Sequence, residues 1–411
     1  MQSFLEFLQS SYTAYHTVKN LKTMLLADGF ESLDEKNPWQ IRKGGKYFVE
    51  RDGSALVAFK LDSDEIEFKI VASHVDSPAL KIKQPTALEK CGVQTLNTEP
   101  YGGGIWYSFF DRPLKIAGRA FVRTENGFEE KTVVSDYQVT IPSLAIHQQR
   151  DVNEKFSVDE QIDLQPILAL QGTPCVLSAL CGGELLSHDL FLVNAETPYE
   201  FGVNGEFLAS PRLDNLTSVF ASISALLSKD TTGNCVAAFF DSEEVGSTTY
   251  SGAGSDLLKN TLRRICLSLG KTEEDYCRAL ASSFLVSADN AHAVHPNHPE
   301  KSDPTNLTTL GGGVVIKHHA KKAYATTAKT AALFQTVLEG AGIAYQAFFN
   351  RSGAKSGGTL GACSITQLGI PTIDIGIAQL AMHSACECIA KSDYSAFENG
   401  LTAFFAADFT K

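Results

Sequence analysis

Residues 235–240, Cys-Val-Ala-Ala-Phe-Phe, form an apolar run without a charge. A strand with one face in water alternates polar and apolar side chains. A run that is apolar throughout suits a strand covered on both faces, as in a parallel sheet between helices. The C-terminal half repeats this texture. Residues 210–229 place Leu216, Val219, Phe220, Ile223, Leu226 and Leu227 on one helical face, with Ser210 or Asp214 able to cap its start. Strand-like and helical segments then alternate: 234–240, 283–288, a helix around 330–342, 344–350, 371–377, and a last helix with Phe397, Leu401, Phe404 and Phe405. Upstream, 55–61 and 65–73 read as strands. The first 30 residues read as one helix, with Val18, Leu21, Met24 and Leu25 on its stripe and a glycine stop. The fold class expected is α/β, a mixed sheet flanked by helices.

From Pro85 to Pro198 the texture changes to short alternating runs broken by Gly, Asn and Pro. This stretch is too long for a loop within a compact domain and reads as an inserted β-rich domain. The chain of 411 residues also exceeds one ordinary core. The expected division is a discontinuous domain of residues 1–85 and 199–411 and an insertion of 86–198.

Composition narrows the function. The net charge of −12 argues against nucleic acid or an anionic membrane as partner. No apolar run reaches the length of a membrane span, and the opening segment lacks the basic and apolar regions of a signal peptide. Nine scattered cysteines without a C-x-x-C pair suit a reducing cytoplasm better than a disulfide framework or a thiolate zinc site.

The charged residues that follow the buried run carry the chemistry. Glu243 and Glu244 stand side by side directly after a strand, where they repel unless a cation lies beside them. Ligands in open α/β sheets gather at the carboxyl ends of strands. Those ends supply His74 and Asp76, the Glu243–Glu244 pair, Asp289 and, further along, His383; Asp214 stands at the start of the amphipathic helix. Imidazoles and carboxylates are ligands for zinc, and two ions can share a bridging carboxylate. The division that follows gives one ion His74 and Asp289, the other Glu244 and His383, with Asp214 bridging. Asp76 then orients the His74 ring, and Glu243 is left as general base for a water held by the two zinc ions. A competing histidine group, His292, His295 and His298, is interrupted by two prolines, so its rings need not converge. Of these, His292, three residues beyond Asp289, suits a substrate-facing or supporting place.

The segments SHVDSPALKIK, YGGGIWYSFFDRPLKIAGR, LAIHQQR, SPRLDNLTSV, FFDSEEVGS, SADNAHAVHPN and QLAMHS resemble, in this order, the aspartyl aminopeptidase family of di-zinc metallopeptidases, over about residues 4–405. The resemblance implies a catalytic domain built from both ends of the chain, an inserted dimerisation domain, and assembly into a tetrahedral dodecamer. It places His74, Asp214, Glu244, Asp289 and His383 at the metal positions and Glu243 at the base. It implies two zinc ions per subunit, with cobalt or manganese as substitutes, and peptide substrates that lose one N-terminal residue, preferably Asp or Glu. It assigns His147 to the active site of a neighbouring subunit, and Lys317 and Tyr324 to the pocket for the acidic side chain. The stretch between those two, Lys-His-His-Ala-Lys-Lys-Ala-Tyr, departs from the family pattern at His319, Lys322 and Ala323, so a neutral preference is the alternative. A zinc carboxypeptidase or amide deacylase is the other enzymatic alternative, and a metal-stabilised assembly without activity the non-enzymatic one. The glycine-rich stretch 352–362 also matches the family, with no role assigned to Lys355.

Overall fold

The computed structural model describes residues 1–408 except 64, 175, 355, 356 and 359. Its centre is a nine-stranded mixed sheet. In spatial order the strands are Glu31–Leu33, Lys46–Arg51, Ala55–Leu61, Asn234–Phe240, Phe68–His74, Phe284–Ala288, Thr372–Gly376, Val314–His318 and Tyr345–Phe349. Four neighbours in the middle, Asn234–Phe240, Phe68–His74, Phe284–Ala288 and Thr372–Gly376, run parallel. Every residue of these four strands is buried, which is why they read as mainly apolar runs without regular alternation. Their carboxyl ends point to one edge.

Helices cover both faces. On one, Phe4, Leu21, Phe220, Phe397 and Leu401 from four helices meet the sheet in one cluster. On the other, Leu258, Leu262 and Ile265 of the helix Leu257–Ser268 and Tyr276 of the helix Glu273–Ser282 pack on Val57, Phe59 and Ile70. A five-stranded sheet, Tyr199–Phe201, Phe207–Ser210, Glu387–Ala390, Ala378–Leu380 and Ala291–His292, lies beyond the carboxyl edge and leads into the helix Leu213–Leu227.

A separate antiparallel sheet of six strands occupies the stretch of changed texture, in the order Gly127–Val134, Leu114–Thr124, Leu185–Asn194, Ala79–Lys90, Val93–Tyr101 and Ile167–Leu170. It has its own core of Leu80, Leu96, Ile116, Leu190 and Leu192. Arg119 joins it to the central sheet: the guanidinium donates to both carboxylate oxygens of Asp52, in the turn after Lys46–Arg51, and to Asp189 of its own sheet. At Gly118 a Cβ would lie 2.0 Å from the Asp189 carbonyl oxygen, so the close strand approach there requires glycine.

Two local expectations are corrected. The N-terminal 30 residues form two helices, Gln2–Ser10 and Ala14–Ala27. The break falls in Ser-Ser-Tyr-Thr, where hydroxyls bind nearby backbone and side-chain atoms: Ser10 donates to the Glu6 carbonyl and Thr13 pairs with His16 Nδ1. Neither Ser210 nor Asp214 caps the later helix. Ser210 ends a strand and its hydroxyl donates to the Pro211 carbonyl, while Asp214 lies inside the first turn with non-helical dihedrals, its carboxylate turned toward histidines.

Arg119→Leu is expected to lose about 1–3 kcal/mol of stability in chemical denaturation, because charge-assisted hydrogen bonds to Asp52 and Asp189 disappear together. An unchanged denaturation midpoint would show that the two sheets are joined elsewhere.

Candidate metal centre

Each central strand delivers its residue at the same edge. His74 is the last residue of Phe68–His74, and the register pairs it with Phe240, three residues before Glu243. Asp289 follows Phe284–Ala288 directly, and the chain leaving Thr372–Gly376 reaches His383 through the strand Ala378–Leu380. Asp214 arrives from the helix that packs on the sheet.

These side chains converge. His74 Nε2 lies 3.5 Å from Asp214 Oδ1 and 3.6 Å from Asp289 Oδ1. His383 Nε2 lies 3.5 Å from Asp214 Oδ2 and 3.4 Å from Glu244 Oε2. Ligand atoms of His74, Asp214 and Asp289 all fall within 4.8 Å of one another, as do those of Asp214, Glu244 and His383 and those of His74, Glu243 and Glu244. Asp214 thus turns one oxygen to each imidazole.

The tautomers follow from the far side of each ring. His74 Nδ1 faces the Asp76 backbone carbonyl at 3.1 Å, and His383 Nδ1 faces the Gly103 carbonyl at 2.9 Å. A carbonyl only accepts, so both Nδ1 atoms carry the proton, and each Nε2 of a neutral ring turns a lone pair on carboxylate oxygens. Lone pairs so opposed call for a positive charge between them, either a metal ion or the proton of a charged ring. Two ligand atoms about 2.0–2.1 Å from one tetrahedral ion lie about 3.3–3.4 Å apart. The distances of 3.4–3.6 Å match that edge and are long for hydrogen bonds. Two buried oxygens, Asp214 Oδ1 and Glu244 Oε1, have no hydrogen-bond partner. The donor set therefore fits zinc: His74, Asp214 and Asp289 are one group that could hold an ion, and Asp214, Glu244 and His383 are another.

The crowded acidic groups also attract protons. Burial pushes Glu243 up to about 7 and Glu244 well above the usual carboxylate range. Burial opposes the charged form of His383, yet Asp214 and Glu244 outweigh it and raise the ring to about 10. His74 is raised by Asp214, Asp289 and Asp76 against the same opposition from burial.

Asp76 serves the site through more than the ring. Its carboxylate accepts the amides of Glu243 at 3.1 Å and Glu244 at 3.2 Å, and the Tyr101 hydroxyl at 2.8 Å. The ring hydrogen bond goes to its backbone carbonyl, with the carboxylate 3.4 Å from Nδ1. Glu243 and Glu244 share one short helical turn, Glu243–Val245, entered through Ser242 in the left-handed region at φ 63°. That turn lets neighbouring glutamates reach the same cluster.

Other candidates are placed differently. Lys317 is 2% exposed and donates to Asp289 Oδ2 at 3.2 Å and the Asn290 carbonyl at 2.8 Å, with the Tyr324 ring 5.4 Å away. It touches the centre as a partner of Asp289. Lys322 donates to the Thr326 carbonyl and His318 stacks on Phe349, so the altered stretch brings neither to the cluster. His292 is exposed near Phe348 and lies beside the cluster, where Lys317, Asp214, His383 and Asp289 act on its charge. His295 and His298 lie together at the surface, where His298 meets Glu300. His147 is exposed in a turn with Leu144 and Ile146. Lys355 lies outside the described residues. Two contributors escaped the sequence reading: Tyr101, in a segment singled out only for resemblance, and Glu387, a glutamate four residues after His383 that accepts the amides of both Asp214 and His383.

A family model described as aminopeptidase I zinc metalloprotease (M18) matches residues 7–405. The chain is 38% identical over 423 residues to a probable M18 family aminopeptidase 2 of Clostridium acetobutylicum, covering 98% of each. Its fold matches Ape4 in its complex with Nbr1, with a TM-score of 0.95 and 33% identity, covering 98% of this chain and 85% of that one. It also matches the mApe1 dodecamer of S. cerevisiae, with a TM-score of 0.82 and 27% identity over 98% and 95% of the chains. The two ligand groups at the strand ends thus occur in a chain similar to these peptidases along almost its whole length, and the chain belongs to the aminopeptidase I zinc metalloprotease (M18) family.

Proposed function

We propose that the protein removes the N-terminal residue of peptides, with Glu243 as general base and a preference for Asp and Glu. The observation that carries the reading is the sharing of Asp214 between two ligand groups with Glu243 beside them. Zinc ions in these groups supply Lewis acidity for the scissile carbonyl and lower the pKa of water. Glu243 accepts the proton of the attacking water and returns it to the leaving amine. His74, Asp289, Glu244 and His383 would hold the ions, with Asp214 offering an oxygen to each group, and Asp76 fixes the His74 ring and the turn that bears Glu243. A peptide N-terminus presents an ammonium, which suits a cluster rich in carboxylates.

Chelation is expected to abolish hydrolysis of aminoacyl reporter substrates, and zinc, cobalt or manganese to restore part of it. Glu243→Gln should keep metal content and fold while turnover falls by about 10²–10⁴. Loss of metal from this variant with Glu244→Gln still active would reverse the two roles.

For the acidic preference we look to Lys317 with Tyr324. Asp289 and the Asn290 carbonyl take two of its three donors, leaving one for a substrate carboxylate. Lys317→Met should reduce Asp and Glu substrates by about two orders of magnitude relative to Leu. The Asp289 contact favours a second reading, in which Lys317 serves the ligand alone and neutral residues are preferred. An unchanged Asp-to-Leu ratio with all rates lowered would select it.

The insertion, residues 86–198, is proposed to build the homo-oligomer, a tetrahedral dodecamer made from dimers, with His147 entering a neighbour's site. Support comes from the dodecameric relative and from exposed Leu144, Ile146, Phe156, Ile162 and Leu170 on this stretch. Light scattering should give a mass of many chains, and mixing inactive Glu243→Gln with inactive His147→Ala subunits should recover activity. A fully active monomer of 44.4 kDa would overturn both parts.

A further inference from the structure

Glu387 begins the strand Glu387–Ala390, in the middle of the five-stranded sheet, and is 2% exposed. Its oxygens serve two different residues: Oε2 accepts the Asp214 amide at 2.9 Å, and Oε1 accepts the His383 amide at 2.7 Å. It belongs to none of the ligand groups. The nearby guanidinium of Arg212 donates to the carbonyls of Ser11 and Asn194. A buried carboxylate is costly unless its partners repay the lost hydration, and these two amides are its hydrogen-bond partners.

Both amides come from residues whose backbone is held away from regular structure. Asp214 has φ −83° and ψ 105° inside a helical turn, and His383 has φ 67°, in the left-handed region that non-glycine residues rarely enter. The left-handed conformation of His383 persists where surrounding contacts over-determine it, while Asp214, in the ordinary extended region, is held by its own hydrogen bonds. For His383 those contacts are Glu387 on its amide, Ile105 donating to its carbonyl at 2.9 Å, and the Gly103 carbonyl on its ring. For Asp214 they are Glu387 on its amide and Ser77 Oγ donating to its carbonyl at 2.8 Å. A glutamate at 387 thus ties together the backbones of two members of one ligand group, which arrive from elements 169 residues apart in sequence.

The geometry points to Glu387 as a positioning residue of the metal centre: its carboxylate fixes Asp214 and His383 relative to one another and so sets the affinity of the ion they share with Glu244. This rests on the two-ion reading of the site. Glutamine has nearly the same shape but only one acceptor oxygen, so Glu387→Gln turns an NH₂ toward one of the two amides and breaks that bond.

The test uses the full chain, stripped with chelator and titrated with zinc by calorimetry. Wild type should bind two ions. Glu387→Gln should bind one of them about 10–100-fold more weakly. The rise in melting temperature caused by zinc should shrink accordingly, while the stripped proteins melt at similar temperatures. Peptidase kcat should recover as zinc is raised, with KM little changed. Equal zinc affinities, or an equal fall in melting temperature with and without zinc, would overturn the proposal. If the glutamine variant does not fold, Glu387→Asp, whose shorter carboxylate cannot span both amides, carries the same titration. A protein that binds zinc as described yet hydrolyses no peptide would refute the functional reading and leave this one standing.

Discussion

The structure depends on a concentration of negative charge that it cannot neutralise by itself. Asp76, Asp214, Glu243, Glu244, Asp289 and Glu387 gather around two imidazoles at one edge of the sheet, with Lys317 as the ammonium in contact. Asp214, Asp289 and Glu387 are buried, and carboxylates in such surroundings either take up protons or bind cations. A sheet with four parallel strands in a row is the scaffold that makes this crowding possible, because their carboxyl ends converge and leave polar groups at one edge. The apolar strand bodies below and the ligands above are two consequences of one arrangement.

Crowding of this kind needs rigid backbone. Four non-glycine residues within two positions of the candidate ligands or among them adopt left-handed conformations: Arg212 at φ 61°, Ser242 at 63°, Ala381 at 55° and His383 at 67°. Each such residue costs about 1–3 kcal/mol and marks a place where the surroundings dictate the conformation. Asp76 and Glu387 supply much of that dictation. One takes the amides of the Glu243–Glu244 turn, the other the amides of Asp214 and His383. The antiparallel sheet takes part as well, since Tyr101 binds Asp76 and the Gly103 carbonyl fixes His383. Glycine at 102 permits the approach, for a Cβ there would meet Glu244 Cβ at 3.0 Å. The segment after Val93–Tyr101 therefore belongs physically to the metal centre, although its sheet packs around a core of its own.

The residues of the candidate ligand groups were legible because most of them stand beside a strong local signal. His74, Glu243, Glu244 and Asp289 follow apolar strands, and Asp214 precedes an amphipathic stripe. Lys317 shows the limit of that kind of reading. A lysine at a strand end reads as a free cation, and its partner, Asp289, lies 28 residues earlier and meets it across a sheet. The N-terminal break and the missing helix cap failed for a related reason. Hydroxyls and carboxylates near a helix start can satisfy several acceptors or donors, and only the folded neighbours decide which.

The sequence by itself determined the α/β class, the change of texture after Pro85 and the residues that offer imidazole or carboxylate, because periodicity and element ends are local properties of a chain. Tertiary structure alone decided that Asp214 faces both histidines, that both rings turn Nε2 inward, that Lys317 is held by Asp289 and that Glu387 joins two distant ligands. Those are contacts between segments far apart in sequence, and a hydrogen bond or shared ion exists only once packing has brought its two ends within reach.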